Sequence, residues 1–416
     1  MTASDAALAP IHDFTRKLLQ PGLRPAVVDY LRWRRALRAA RAAGAPEPPL
    51  PAAGPLSVNL DLTTACNYAC DHCIDWDALN LAVRHDDGDL RQALTNLRAR
   101  GMQSVILIGG GEPTVHPGFG EIVRFLKGDL GVQVAVVSNG SRNEKLLEVA
   151  SCFTRGDWVR LSLDSGTDAT FQAMHKPKGR GITLERICEL AGAVKRENPV
   201  MQLGFSFVIT WRGARRDAVA IVENLGEMEA AAVRAKAAGF DYISFKPFLT
   251  RAEAGAEVLD PAQALEAQSS VQGRIRAGLL AAARHQDASF RVVESTNLRV
   301  FLDGTWREFT RQPHECHMQA LRQVLSPLGT YNCPAHRGVE KARIGGKAAW
   351  AGTGAEAASG TARVLDRFDA ASECREVTCL YNPVNHYLES LVAGEADPAQ
   401  VLDSTVTPDG SDDFFL

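Results

Sequence analysis

Cys66, Cys70 and Cys73 stand in the spacing Cys-x3-Cys-x2-Cys, within Thr-Thr-Ala-Cys-Asn-Tyr-Ala-Cys-Asp-His-Cys. Three thiols this close do not suit disulfides, because an odd number leaves one over. They suit a metal centre, since soft sulfur ligands select iron–sulfur clusters, zinc or copper(I). A structural zinc takes four ligands, and His72 is available as the fourth. A cubane held by three thiolates has another consequence: one iron stays open for a substrate or cofactor. Cys316, Cys333, Cys374 and Cys379 form a second group, a complete four-thiolate set for a cluster or a zinc. Cys152 and Cys188 sit on the apolar sides of helical patterns and read as buried structural thiols.

The elements that position these residues follow from periodicity. Val58, Leu60 and Leu62 alternate with polar residues, so 57–63 is a strand that empties into the first cysteine loop. Further strands are expected at 103–108, 132–138, 158–163, 202–210 and 241–246. Helical patterns lie between them at 89–100, 117–127, 143–152, 183–197 and 215–237. Alternating strand and helix imply βα units around a parallel sheet, whose chemistry collects at the C-terminal strand ends. Polar motifs stand at those ends. The second strand runs into Gly109-Gly110-Gly111-Glu112, where glycines admit close approach of a ligand and Glu112 offers an acceptor to an ammonium group. The third ends in Ser138-Asn139-Gly140 and the fourth in Ser162-Leu163-Asp164. Asn-Gly turns and Ser or Asp helix caps use the same residues. Lys246 closes the last strand beside Phe245, Pro247 and Phe248, and His175-Lys176-Pro177-Lys178-Gly179 reads as a mobile basic loop. Lys246 and His175 are substrate-contact candidates.

The cysteine triplet after a first strand, with a ring at His72 where Tyr or Phe is commoner, resembles the signature of the radical S-adenosylmethionine (SAM) enzymes. The resemblance implies a [4Fe–4S] cluster on Cys66, Cys70 and Cys73. Its open iron would chelate SAM, and an electron would split SAM to a 5′-deoxyadenosyl radical that removes hydrogen from substrate. It implies SAM contacts from His72, Gly110, Gly111, Glu112, Ser138, Asn139 and Ser162, with Asp164 facing SAM or substrate. The hairpin Cys316…Pro327-Leu328-Gly329…Cys333 resembles the auxiliary-cluster domains of such enzymes (SPASM and twitch), with three residues rather than four between Gly329 and Cys333. That implies a second [4Fe–4S] cluster on Cys316, Cys333, Cys374 and Cys379.

The expected fold is α/β: a partial (β/α)6 radical SAM barrel with an N-terminal helical extension and a small C-terminal α+β auxiliary-cluster domain. Residues 1–55 are the extension and a Pro/Ala linker, its Arg-rich helix expected to cap the barrel with a solvated basic face. The barrel spans 56–250, linking helices 251–289 (one long helix or a broken pair over 252–287), and the auxiliary domain 290–390. Short strands are expected there at 290–293, 298–302 and 324–325. An acidic tail, 391–416, is expected to be disordered, with Phe414-Phe415-Leu416 as a candidate lid.

Across 416 residues the formal charge is −3, which gives no reason to expect nucleic acid or a membrane as partner. Nine cysteines point to a reducing cytoplasm and metal chemistry, and no signal layout or apolar span is seen. The expected partners are a small-molecule substrate and a reductant such as flavodoxin or ferredoxin. The expected reaction is dehydrogenation of a polar small molecule (sugar, aminocyclitol or nucleoside), the auxiliary cluster accepting an electron. Epimerisation and peptide modification are the alternatives, and a non-catalytic iron–sulfur carrier is the remote one, since a carrier needs neither the Gly-Gly-Glu turn nor a barrel.

Overall fold

A ten-stranded sheet carries the chain in the computed structural model, which describes residues 13–251, 257–259, 264, 266–403 and 412–416. Strands β1 (Ser57–Leu60), β2 (Ser104–Leu107), β3 (Gln133–Ser138), β4 (Trp158–Ser162), β5 (Gln202–Ile209), β6 (Tyr242–Pro247) and β7 (Arg291–Glu294) lie side by side in chain order. Every neighbouring pair among them is parallel. Parallel neighbours need crossovers, and helices such as Asp87–Ala99, Leu184–Glu197 and Gln268–Ala283 provide them. Crossovers of one hand on a singly wound sheet gather on one face and leave the other as a lumen.

Alternation along each strand decides which side chains enter that lumen. Val58, Leu60 and Leu62 pack with Leu90, Leu94 and Leu97 on the helical side, so Asn59 and Asp61 face inward. Val159 and Leu161, Phe205 and Phe207, and Ile243 and Phe245 also join the helical-side core. Their neighbours Arg160, Ser162, Ser206, Ser244 and Lys246 therefore line the lumen.

All six expected strands are present. The segment expected to open the C-terminal domain, 290–293, is instead the seventh parallel strand, paired with β6 through Arg291 and Tyr242. On the far side of β1, β8 (Arg322–Ser326) pairs in parallel, and β9 (Gly329–Tyr331) and β10 (Arg343–Gly345) follow antiparallel. β1 thus has a neighbour on both sides, so the strand feeding the cysteine loop has no open edge.

Several local expectations change. Residues 298–302 belong to a helix, Thr296–Leu302, because Ser295 Oγ accepts from the Leu298 N–H at 3.2 Å and caps it. The helix expected over 215–237 covers only Met228–Ala237. Its start is a hairpin, Arg215–Arg216 against Val219–Ala220, turned by Asp217 at φ +50°. Within 252–287 the helix is Gln268–Ala283, preceded by a pairing of Thr250–Arg251 with Glu257–Val258; residues 252–256, 260–263 and 265 lie outside the described residues.

The N-terminal helix Arg24–Ala43 packs on the helix Asn382–Ala393 rather than capping the barrel. Its basic face is not simply solvated, because acids of the C-terminal segment pair with it. Arg34 and Arg38 meet Glu315, Arg38 meets Glu389 at 2.8 Å, and Arg41 meets Asp366 at 2.9 Å. The acidic tail is partly ordered, with a helix at Pro398–Asp403. Residues 404–411 lie outside the described residues, and 412–416 run beneath the barrel. Phe415 packs among Ile106 and Ala135 with its ring 5.4 Å from Trp158. Ser104 Oγ donates to the Phe414 carbonyl and Lys17 Nζ to that of Phe415, both at 2.7 Å. Ser104 and Trp158 begin their strands, so the lid candidate closes the floor, opposite the cysteine loop.

Candidate metal centres at the barrel mouth

The loop carrying Cys66, Cys70 and Cys73 is pinned by backbone hydrogen bonds. The Glu112 N–H donates to Ala65 O at 2.9 Å, Ala69 N–H to His175 O at 3.1 Å, and Lys178 N–H to Asn67 O at 2.8 Å. Asn80, at φ +56°, places its Oδ1 to accept from the Cys66 N–H at 3.0 Å. Gly111 crosses this loop so closely that a Cβ would land on the Ala65 carbonyl oxygen. The three thiols are free. Burial pushes each upward, Cys73 to about 12, and the neighbouring thiols add to the effect on Cys70 and Cys73. Convergent, desolvated thiols ionise only against a strong local positive charge, which a metal centre supplies.

Glu112 is the centre of a knot. Its Oε1 accepts from Thr114 N–H at 3.0 Å, Thr114 Oγ1 at 2.6 Å and Ser138 Oγ at 2.7 Å; its Oε2 accepts from the Asn139 N–H at 2.6 Å. Burial pushes its carboxyl upward against these donors. Asn139 Nδ2 then donates to Asn67 Oδ1 at 2.9 Å, tying the knot to the cysteine loop. Glu112, Ser138 and Asn139, separate in the sequence, are one unit. Gly109 and Gly110, at φ +62° and +67°, make the turn that brings Glu112 there.

His175 occupies a place other than the one expected, and Asp164 lies beside it. Asp164, at φ +50°, accepts from the Val208 N–H at 2.7 Å, and its Oδ2 lies 3.0 Å from His72 Nε2 and 3.4 Å from His175 Nε2. Burial works to raise its pKa, but the His72 hydrogen bond and the two imidazoles outweigh it and hold the carboxyl below its usual range. His175 is not on a mobile loop. It ends the helix Asp168–His175, is buried, and turns its Nδ1 to Cys70 Sγ at 3.3 Å. Burial lowers its pKa to about 4. The physical reason is helix continuation: Thr167 caps a turn that carries His175 back under the cysteine loop. His72 keeps a buried Nδ1 without a partner among the described residues, an atom that a ligand at this centre would satisfy. Cys188 lies in the core and Cys152 packs against it.

Lys246 donates to Ser206 Oγ at 3.2 Å inside the lumen, and Ser162 stands at the same register as Ser206. The second thiol group also converges. Cys316, Cys333, Cys374 and Cys379 are free; burial raises Cys316 to about 12 and pushes Cys374 and Cys379 further, each disfavoured by the other thiols. That donor set fits a metal centre on the same argument as the first.

The link between the two groups was not read from the sequence. Arg337, four residues after Cys333, pairs with Asp75, two after Cys73, at 2.8 Å and with Asp61 at 2.9 Å. Its neighbour His336 brings Nε2 to 3.4 Å from Cys374 Sγ. Asp61 is fully buried, and desolvation raises its pKa to about 7 despite Arg337. The available signal was charge at fixed offsets from cysteines, which spacing alone does not distinguish from surface charge.

Residues 60–213 match the family model described as the radical SAM superfamily. A relative named S-adenosylmethionine-dependent nucleotide dehydratase, from Selenomonas ruminantium, is 29% identical over 176 residues, 40% of this chain and 61% of that protein. Mycofactocin maturase MftC of Mycobacterium ulcerans is 32% identical over 145 residues, 33% of this chain and 37% of that protein. The chain thus spans 61% and 37% of the lengths of these two curated relatives. Among solved structures, polyhistidine-tagged anSMEcpe with bound AdoMet aligns at TM-score 0.51 and 14% identity, over 84% of this chain and 98% of that one, a likeness of fold.

Proposed function

We infer, for a chain whose residues 60–213 place it in the radical SAM superfamily, an enzyme that oxidises a polar small molecule held in the barrel lumen. A [4Fe–4S] cluster on Cys66, Cys70 and Cys73 with SAM supplies reductive SAM cleavage and hydrogen-atom abstraction, and a second on Cys316, Cys333, Cys374 and Cys379 supplies an electron acceptor. The observation that carries the oxidative reading is the second convergent thiol set, joined to the first loop by Arg337.

The chain's own residues do the positioning. Glu112 Oε2, with one donor, keeps lone pairs for an ammonium group, and Ser138, Asn139 and Ser162 surround the same strand ends. Asp164 orients His72 and His175 beneath the cysteine loop rather than reaching substrate. Lys246 and its serine neighbours offer a polar lumen to the substrate. Phe415 closes the floor, which keeps bulk water from entering there.

A second reading, removal of water from a nucleotide, is favoured by the name of the Selenomonas ruminantium relative. The test is anaerobic turnover with SAM and a reductant. Oxidation predicts 5′-deoxyadenosine together with a product two hydrogens lighter than its substrate. Stable deuterium from heavy water in an isomeric product contradicts oxidation and establishes epimerisation; a product lighter by one water establishes the dehydratase.

A further inference from the structure

β4, β5 and β6 present serines at one register: Ser162 is level with Ser206, and Ser206 with Ser244. All three point into the lumen, because the residues flanking them pack on the helical side. Arg160 lies two residues below Ser162 in this row and Lys246 two above Ser244. A hydroxyl row between a guanidinium and an ammonium is a set of donors aimed at a common space.

Neither cation has an acidic partner among the described residues. Arg160 stacks its guanidinium over Trp158, 5.1 Å from the ring centre, and its buried Nε meets no acceptor. Among the described residues, the hydrogen-bond partner of Lys246 is Ser206 Oγ. The hydroxyl of Ser244 is buried and also without a partner. Asp164, a carboxylate whose charge reaches Lys246, is engaged by His72, His175 and the Val208 N–H. Desolvation works against the charge on both cations, and Arg160 disfavours that on Lys246, so both gain from an anion between them. Two half-buried cations without an acidic partner among the described residues are costly in a resting protein, and a fixed fork plus a point charge suits an oxyanion.

We propose that Arg160, Ser206, Ser244 and Lys246 form the subsite for an oxyanion of the substrate, a phosphate or a carboxylate, at the depth of the lumen. The assignment rests on the reading that the lumen holds the substrate. It makes the substrate an acidic metabolite whose anionic end lies along the wall formed by β4, β5 and β6.

The test is calorimetric titration of the reconstituted enzyme, saturated with SAM, with pyrophosphate in one arm and malonate in the other. Saturable binding of either probe is expected, the arm that binds naming the anion as phosphate-like or carboxylate-like. Arg160→Gln and Lys246→Met are expected to weaken it at least tenfold, with Ser244→Ala as a milder variant should either fail to fold. Failure of both probes to bind, or variants that bind as well as wild type, overturns the subsite. So does competition between probe and SAM, which would assign the cations to SAM's own carboxylate. Absence of 5′-deoxyadenosine in the turnover assay would instead sink the enzymatic reading and leave these binding results standing.

Discussion

Arg337 reaches both carboxylate oxygens of Asp75, at 2.8 and 2.9 Å, across 262 residues of chain. One end of this pair lies two residues from a cysteine of the first group and the other four residues from a cysteine of the second. Both partners are buried, so the pair fixes the distance between the two thiol sets rather than decorating a surface.

Removing Arg337 should therefore cost more than a surface ion pair. Arg337→Met leaves Asp61 and Asp75 buried without a counter-charge, a loss of about 3–5 kcal/mol for a broken buried pair. Arg337→Lys retains charge but not the fork that spans two acids, and should fall between. Urea unfolding ranks the three; an unchanged midpoint in Arg337→Met would show that the pair does not brace the fold.

Gly111 tests the crossing of the Gly-Gly-Glu turn over the cysteine loop. A methyl group there meets the Ala65 carbonyl, backbone that cannot move without shifting Cys66. Gly111→Ala should cost about 1–3 kcal/mol of overpacking and lower the iron retained by the first site after reconstitution. Iron content equal to wild type would mean that the loop yields.

His85 gives a pH dependence with a definite sign. It is buried with Nε2 3.0 Å from the Asp61 carbonyl oxygen, and burial lowers its pKa to about 4. The unfolded imidazole titrates near 6.5, so between these values only the unfolded chain takes up the proton. The stability this group contributes is complete above about pH 6.5 and is lost as pH falls toward 4, by at most about 3 kcal/mol. Anaerobic urea unfolding from pH 7 to 4.5 should show a smaller acid loss for His85→Gln than for wild type. Parallel curves would show that His85 takes no part.

Phe415 should behave as a core residue, not as a tail. It is 2% exposed between Ile106, Ala135 and Trp158. Phe415→Ala should destabilise the chain by about 3–5 kcal/mol, read as a fall in the midpoint of thermal or urea unfolding. No change would place this segment off the barrel floor in solution.

The parallel sheet was legible because each strand repeats apolar residues at period two and each ends in a distinctive polar motif, as at Gly109–Glu112 and Ser138–Gly140. The three cysteines were legible as a candidate metal centre because three close thiols suit a soft metal rather than disulfides. His175 was misplaced because the basic run around it reads as a loop and does not say which way its side chain turns. The cap at Thr167 decides that direction. Arg160 was missed because inside a strand it reads as an ordinary alternating polar residue. Its isolation emerges only when β5 and β6 are laid beside it. The order of Phe414–Leu416 was hidden by the acidic composition before it, since burial of Phe415 and Leu416 depends on a floor built by distant strand starts.

The most direct test of two metal centres on one frame is iron and sulfide content after anaerobic reconstitution. It would compare wild type, Cys66/Cys70/Cys73→Ala, and Cys316/Cys333/Cys374/Cys379→Ala. Two cubanes predict about eight irons per chain, falling to about four in either variant. About four irons in wild type, unchanged by loss of the second thiol set, would contradict an auxiliary cluster and with it the oxidative mechanism.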